Sequence, residues 1–150
     1  MELVGRGKGT ACVRLVRWTC VAGDIFSGMA THQTLRAWQH AQRLAVECAK
    51  VAKRFPAYEQ EALADQLRRA GYGVSLNIAE GHARRGSREY RRFLDTAKGS
   101  LAEVEAALDV ARQLEYLTED QHRALMAIAE ETGKTLFGLL RKISAASSRS

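Results

Sequence analysis

From Thr34 onward, apolar residues return every third or fourth position, a period that predicts helices. The first run holds Leu35, Trp38, Ala41, Ala45, Cys48, Ala52 and Phe55, with Trp38 as an aromatic anchor. "RFPAYE" ends it. Pro56 suits the first turn of a new helix, and Glu59 suits the positive end of that helix's dipole. The second run holds Leu63, Leu67, Ala70, Val74, either Asn77 or Ile78, and Gly81. The third opens at Ser87, a capping residue type, and holds Tyr90, Leu94, Ala97, Leu101, Val104, Leu108 and Ala111. "TEDQ", from Thr118 to Gln121, has the Thr and the Gln of a capping box. The fourth run follows with Leu125, Ile128, Thr132, Leu136, Leu139 and Ile143. No segment reads as a strand. Long helices joined by short loops predict an all-α fold, an antiparallel up-down-up-down four-helix bundle with left-handed, shallow crossings.

The bundle is expected over residues 32–145, with a polar tail at 146–150. Residues 1–31 carry Gly5, Gly7, Gly9, Gly23 and Gly28 without a sustained period and read as a loose or disordered leader. Met29 is a candidate natural start, which would make the leader non-native. "GKGT", from Gly7 to Thr10, lacks the spacing and the preceding strand of a phosphate loop.

The second and third helices fold back on each other if the turn centres near Arg85. Gly71 and Gly73 then face Gly99 and Ser100, and small residues on both sides predict a close approach. A glycine in a helix interior costs about 1 kcal/mol relative to alanine, so close packing is the expected reason for these. The same register sets Arg68 or Arg69 near Glu103, and Glu80 near Arg91. Asn77 and Glu80 are polar at positions expected to pack. They are read as structural contacts, with Ser100 and Glu103 opposite, that fix the register between helices.

Charge changes the picture at that turn. The chain has a formal net charge of +6, and 17 of its 23 basic residues are arginine. Arginine offers a planar fork of donors suited to phosphate. "GHARRGSREYRR" gathers Arg84, Arg85, Arg88, Arg91 and Arg92 around a single acid, Glu89. One reading is a solvated turn with local pairs, Glu80 to Arg84 and Glu89 to Arg92. The other, which we favour, is an edge of Arg84, Arg85, Arg88 and Arg92 that binds nucleic-acid phosphate, extended by Arg91 if it is unpaired. No interleaved aromatics suggest base stacking, so phosphate contact rather than sequence readout is expected.

Other chemistry finds no support in the residues. Glu119 and His122 give one Glu-x-x-His spacing, but a di-iron bundle needs two. His32, His40 and His82 sit in no ligand motif, and Ser75 and Ser100 have no neighbouring His. No enzyme activity, catalytic residue, metal or cofactor is expected. Cys12, Cys20 and Cys48 form no CxxC, and with no secretory signal this points to a reducing cytoplasm. No apolar stretch approaches the roughly 18 residues of a membrane span, so no membrane partner is expected. Phe93, Phe137 and Leu140 flank the main seam, and an exposed apolar stripe there predicts self-association.

Residues 34–143 resemble the four-helix-bundle family of ribosomal-RNA intervening-sequence proteins. The likeness rests on "FP" at Phe55-Pro56, "QLRRA" at Gln66 to Ala70, "NIAEG" at Asn77 to Gly81, Arg85, "FL" at Phe93-Leu94, "A-K-GSLAE" at Ala97 to Glu103, and "LEYL" at Leu114 to Leu117. That family is similar in turn to the accessory variability determinant proteins of diversity-generating retroelements. The resemblance implies a non-enzymatic bundle with a basic surface, a homo-oligomer with a pentamer as first expectation. It also implies RNA, or a nucleic-acid enzyme such as a reverse transcriptase, as partner. The alternative is a structural oligomer or protein-protein adaptor with no nucleic-acid role. The family is Ala-Ser-rich where this chain has Gly71 to Gly73, a departure that bears on the straightness of the second helix.

Overall fold

The structure, a computed structural model, describes residues 31–147. The expectations for the leader, including "GKGT", Cys12 and Cys20, lie outside these residues. Among the described residues there are four α-helices and no strand: α1 (Arg36–Ala52), α2 (Leu63–Ala83), α3 (Ser87–Gln113) and α4 (Glu119–Ser147). Short 3-10 turns at His32–Thr34 and Ala57–Glu59 precede α1 and α2. Short connections force successive helices to run antiparallel. Each helix packs on two others, α2 and α4 both against α1 and α3, which closes the bundle around one core. Leu44, Leu67, Ile78, Leu94, Leu108 and Leu136 lie fully inside it. Each such side chain contributes roughly 1.5–3 kcal/mol by leaving water.

Local chemistry sets the boundaries, with several departures from expectation. Pro56 caps a 3-10 turn, and α2 begins only at Leu63. Glu59 still serves that helix, since its Oε2 accepts from the Leu63 N–H at 3.2 Å. α2 runs unbroken through Gly71 to Gly73. Ser87 is not the cap of α3. Gly86 is, at φ 99°, and Ser87 is the first helical residue. The capping box of α4 is present: the Thr118 N–H donates to Gln121 Oε1 at 2.9 Å, and the Gln121 N–H to Thr118 Oγ1 at 3.2 Å. Residues 146 and 147 are not a polar tail but the last of α4. The segment that includes them, "ISAAS" at Ile143 to Ser147, holds neither Gly nor Pro to stop a helix.

The glycine pairing also needs correction. Gly73 does sit against α3, where an added Cβ would lie 2.7 Å from Ser100 Oγ. Gly71 faces Ala45 and Cys48 of α1 instead, and a Cβ on Gly99 would meet nothing. A second tight contact between α2 and α3 is at Gly81, where a Cβ would come within 2.8 Å of the Tyr90 ring and 2.9 Å of Phe93 Cβ. Cys48 is buried, and burial, with a smaller contribution from the Glu47 charge, pushes its thiol up to about 12. It is an inert apolar filler at neutral pH.

Candidate nucleic-acid interface

α2 ends and α3 begins within the three residues Arg84, Arg85 and Gly86. So tight a reversal needs Gly86 in a backbone region that side chains avoid. It places Arg84 and Arg85 in the turn itself and Arg88, Arg91 and Arg92 on the first turns of α3.

The five are not equivalent. Arg84 pairs with Glu80 one helical turn back, and Arg92 Nε with Glu89 Oε2 at 3.3 Å. Both guanidinium groups also lie on the ring of Phe93, at 4.9 and 4.7 Å from its centroid. Two cations on one aromatic ring are held by its quadrupole as well as by their carboxylates. This takes Phe93 out of the apolar stripe expected to meet a neighbour. Arg91 reaches Asp95 at 3.7 Å and donates from Nη1 to Ser144 Oγ at 3.0 Å, which ties the start of α3 to the end of α4. Arg85 and Arg88 are exposed, with no ion-pair or hydrogen-bond partner among the described residues.

Beneath the turn, Tyr90 packs on Gly81, and its ring meets His82 edge-on at 5.9 Å between centroids. The Tyr90 hydroxyl is buried without a hydrogen-bond partner, and burial raises its pKa.

The expected structural contacts are rearranged. Glu80 does not pack between helices and does not approach Arg91. Ile78 and Gly81 take the inward positions of α2, which turns Glu80 out to solvent beside Arg84. Asn77 does not bridge helices either, because its Nδ2 donates to the Gly73 carbonyl of its own helix at 2.7 Å. Glu103 meets Gln66 at 2.8 Å rather than Arg68 or Arg69. Arg68 instead donates to the Gln60 carbonyl at 2.6 Å, and Arg69 lies 3.7 Å from Asp65. Ser100 lies against Gly73, as the register implied.

Sequence reading missed what the topology adds. In an up-down-up-down bundle, the start of α1 and the end of α4 share an end with the α2–α3 turn. Arg36 and Lys142 therefore join the arginines, and both line a cleft between α1 and α4. The only available signal was the predicted topology itself.

The other sites considered bring nothing together. Glu119 pairs with Arg112, and His122 with Asp109 at 2.8 Å. No group of three or more His, Cys, Asp or Glu able to hold a metal occurs among the described residues. No helix among them is long and apolar enough to cross a membrane.

A family model described as "23S rRNA-intervening sequence protein" matches residues 33–138. A solved structure from Bacteroides thetaiotaomicron, described as a protein with unknown function from the S23 ribosomal protein family, is similar with a TM-score of 0.64. It is 22% identical, over 69% of this chain and 97% of that one, and so shows the shared fold. No curated protein matches.

Proposed function

The chain belongs to the 23S rRNA-intervening sequence protein family, and from that premise we propose that it is a non-catalytic scaffold that binds the phosphate backbone of RNA through its α2–α3 turn. The observation that carries this reading is the pair Arg85 and Arg88. They are exposed cations on either side of Gly86, with no carboxylate partner among the described residues. A surface ion pair would already satisfy part of their donor fork, whereas here all of it is available to a phosphate. Arg84 and Arg92, held on Phe93, frame them and keep donors to spare. The absence of stacking aromatics on the turn favours contact with the backbone over readout of bases.

The same reading takes the protein as a homo-oligomer, with a pentamer the first expectation. Phe137 is 61% exposed, and it lines an apolar groove of about 230 Å³ with Leu101, Leu136 and Leu140. Repetition of the turn around an oligomer would multiply weak contacts. Light scattering at micromolar concentration tests this, and a monomer would remove it from the reading. The likeness to retroelement accessory proteins adds a reverse transcriptase as a protein partner, tested by co-purification. A second reading, an adaptor with no nucleic-acid role, is favoured by the local pairing of Arg84, Arg91 and Arg92, which partly neutralises the turn.

A salt titration of RNA binding separates the two. The log-log dependence of affinity on salt has a slope of roughly 0.7 per neutralised phosphate of a single strand. Arg85→Gln with Arg88→Gln is expected to lower that slope by roughly 1.4, weaken binding to any RNA about equally, and leave melting unchanged. Unchanged affinity and slope would leave the arginines as a solvated turn and favour the adaptor.

A further inference from the structure

The strongest unassigned feature is the cleft of about 360 Å³ between the start of α1 and the end of α4. Its cations are Arg36 and Lys142, and its hydroxyls are Thr34 and Thr135. No acidic side chain lines it. Both cations are exposed, and neither has an ion-pair partner among the described residues. Glu131 lies within electrostatic reach of Arg36, but its carboxylate is bonded to Lys134 Nζ at 2.8 Å. Two cations that repel each other across an open cleft, with no carboxylate between them, are stabilised by an anion placed there.

Three further observations agree. The first turn of α1, which opens beside the cleft, has no acidic residue and no side-chain cap, so its positive potential is uncompensated. The α4 wall of the cleft includes Gly138, a glycine in a helix interior whose added Cβ would meet nothing. No packing contact requires it, and the mouth of the cleft beside it is open to solvent. Finally, Arg91 bonded to Ser144 joins α3 to the same end of α4. The cleft and the arginine turn therefore lie at the same end of the bundle.

We propose that this cleft is a second phosphate-binding site, which holds the backbone of a nucleic-acid strand that also contacts the α2–α3 turn. The proposal rests on the preceding reading, that the turn binds RNA phosphate. It assigns to Arg36 and Lys142 the charge contacts and to the threonine hydroxyls the flanking hydrogen bonds, and Gly138 marks the open mouth where an added carboxylate would repel the strand.

The test is a salt titration of the full chain against a single-stranded RNA of mixed sequence. Arg36→Gln with Lys142→Gln is expected to weaken binding about threefold to tenfold at low salt and to lower the log-log slope by roughly 0.7 to 1.4. Lys53→Gln with Arg54→Gln removes the same charge at the opposite end of the bundle and is expected to leave the slope unchanged. Gly138→Glu, which has room for its side chain, is expected to weaken binding while helical melting holds or rises. Gly138→Ala is expected to bind like the parent. Equal losses from the Lys53/Arg54 and the Arg36/Lys142 variants would overturn the cleft in favour of net charge alone. So would full binding by Gly138→Glu. A parent that binds RNA, is weakened at Arg85 and Arg88, and is indifferent to every cleft variant sinks the cleft but spares the turn. A parent that binds no RNA sinks both.

Discussion

The two helix-to-helix turns at opposite ends of the bundle, α2–α3 and α3–α4, solve the same problem with opposite chemistry. At α3–α4, polar groups join different helices and loops. Tyr116 donates to Glu59 at 3.2 Å and meets the Tyr58 hydroxyl at 3.0 Å. Arg112 pairs with Glu119, His122 with Asp109, and the capping box closes α4. At α2–α3, the ion pairs are local, at i,i+3 or i,i+4, while Arg84 reaches the Phe93 ring and Arg91 reaches Ser144. Charge at one turn is consumed by the fold. At the other, part of it is left over, and what holds the turn is backbone shape and the packing of Gly81 on Tyr90 and Phe93. A surplus of unpaired cations such as Arg85 and Arg88 does little for the stability of the turn.

That contrast can be broken in order of expected effect. Gly81→Leu should be the most damaging change. A side chain there has no space, and overpacking is expected to cost about 3 kcal/mol in a denaturant melt. A melt unchanged from the parent would mean that α2 and α3 are not in tight contact. Next comes Gly86→Ala. Its open surroundings remove any steric excuse, so the loss, about 2 kcal/mol, reports backbone strain alone. At the other turn, Thr118→Ala should cost about 1 kcal/mol because a real cap is lost, whereas Ser87→Ala should change stability by less than about 0.5 kcal/mol. Equal effects at Thr118 and Ser87 would contradict the difference in capping. Smallest is an alkaline effect. The Tyr58 hydroxyl, burial and Glu59 raise the Tyr116 pKa above its ordinary 10.0. A raised folded-state value means that this contribution is whole below pH 10 and is lost as pH rises above it. Melting between pH 9 and 11 is expected to fall less steeply in Tyr116→Phe than in the parent.

The helices were legible because their seams are long and regular. In α3, Leu94, Ala97, Leu101, Val104, Leu108 and Ala111 are all buried as the spacing demanded, and Thr118 with Gln121 announced the start of α4. Side-facing detail was not. Folding a hairpin at Arg85 gives the height at which residues meet, which is why Gly73 and Ser100, two of the four small residues set opposite each other, do touch. It does not give the direction each residue points around its helix, and Gly99, at the right height, faces outward. The error at Glu80 has the same origin: with Ile78 and Gly81 inward, a residue between them must turn away. Of the basic turn, the local pairs at Arg84 and Arg92 could be read from spacing. The cation contacts on Phe93 and the cleft at Arg36 and Lys142 needed the third dimension.

The cleft also has a place in time. Of the four described helices, Arg36 belongs to the first to be synthesised and Lys142 to the last, so its two walls are separated by nearly the whole bundle. The arginine turn is complete as soon as α2 and α3 have emerged and paired. A chain still in production therefore carries the turn for an interval without the cleft, and only a finished, closed bundle presents the two together.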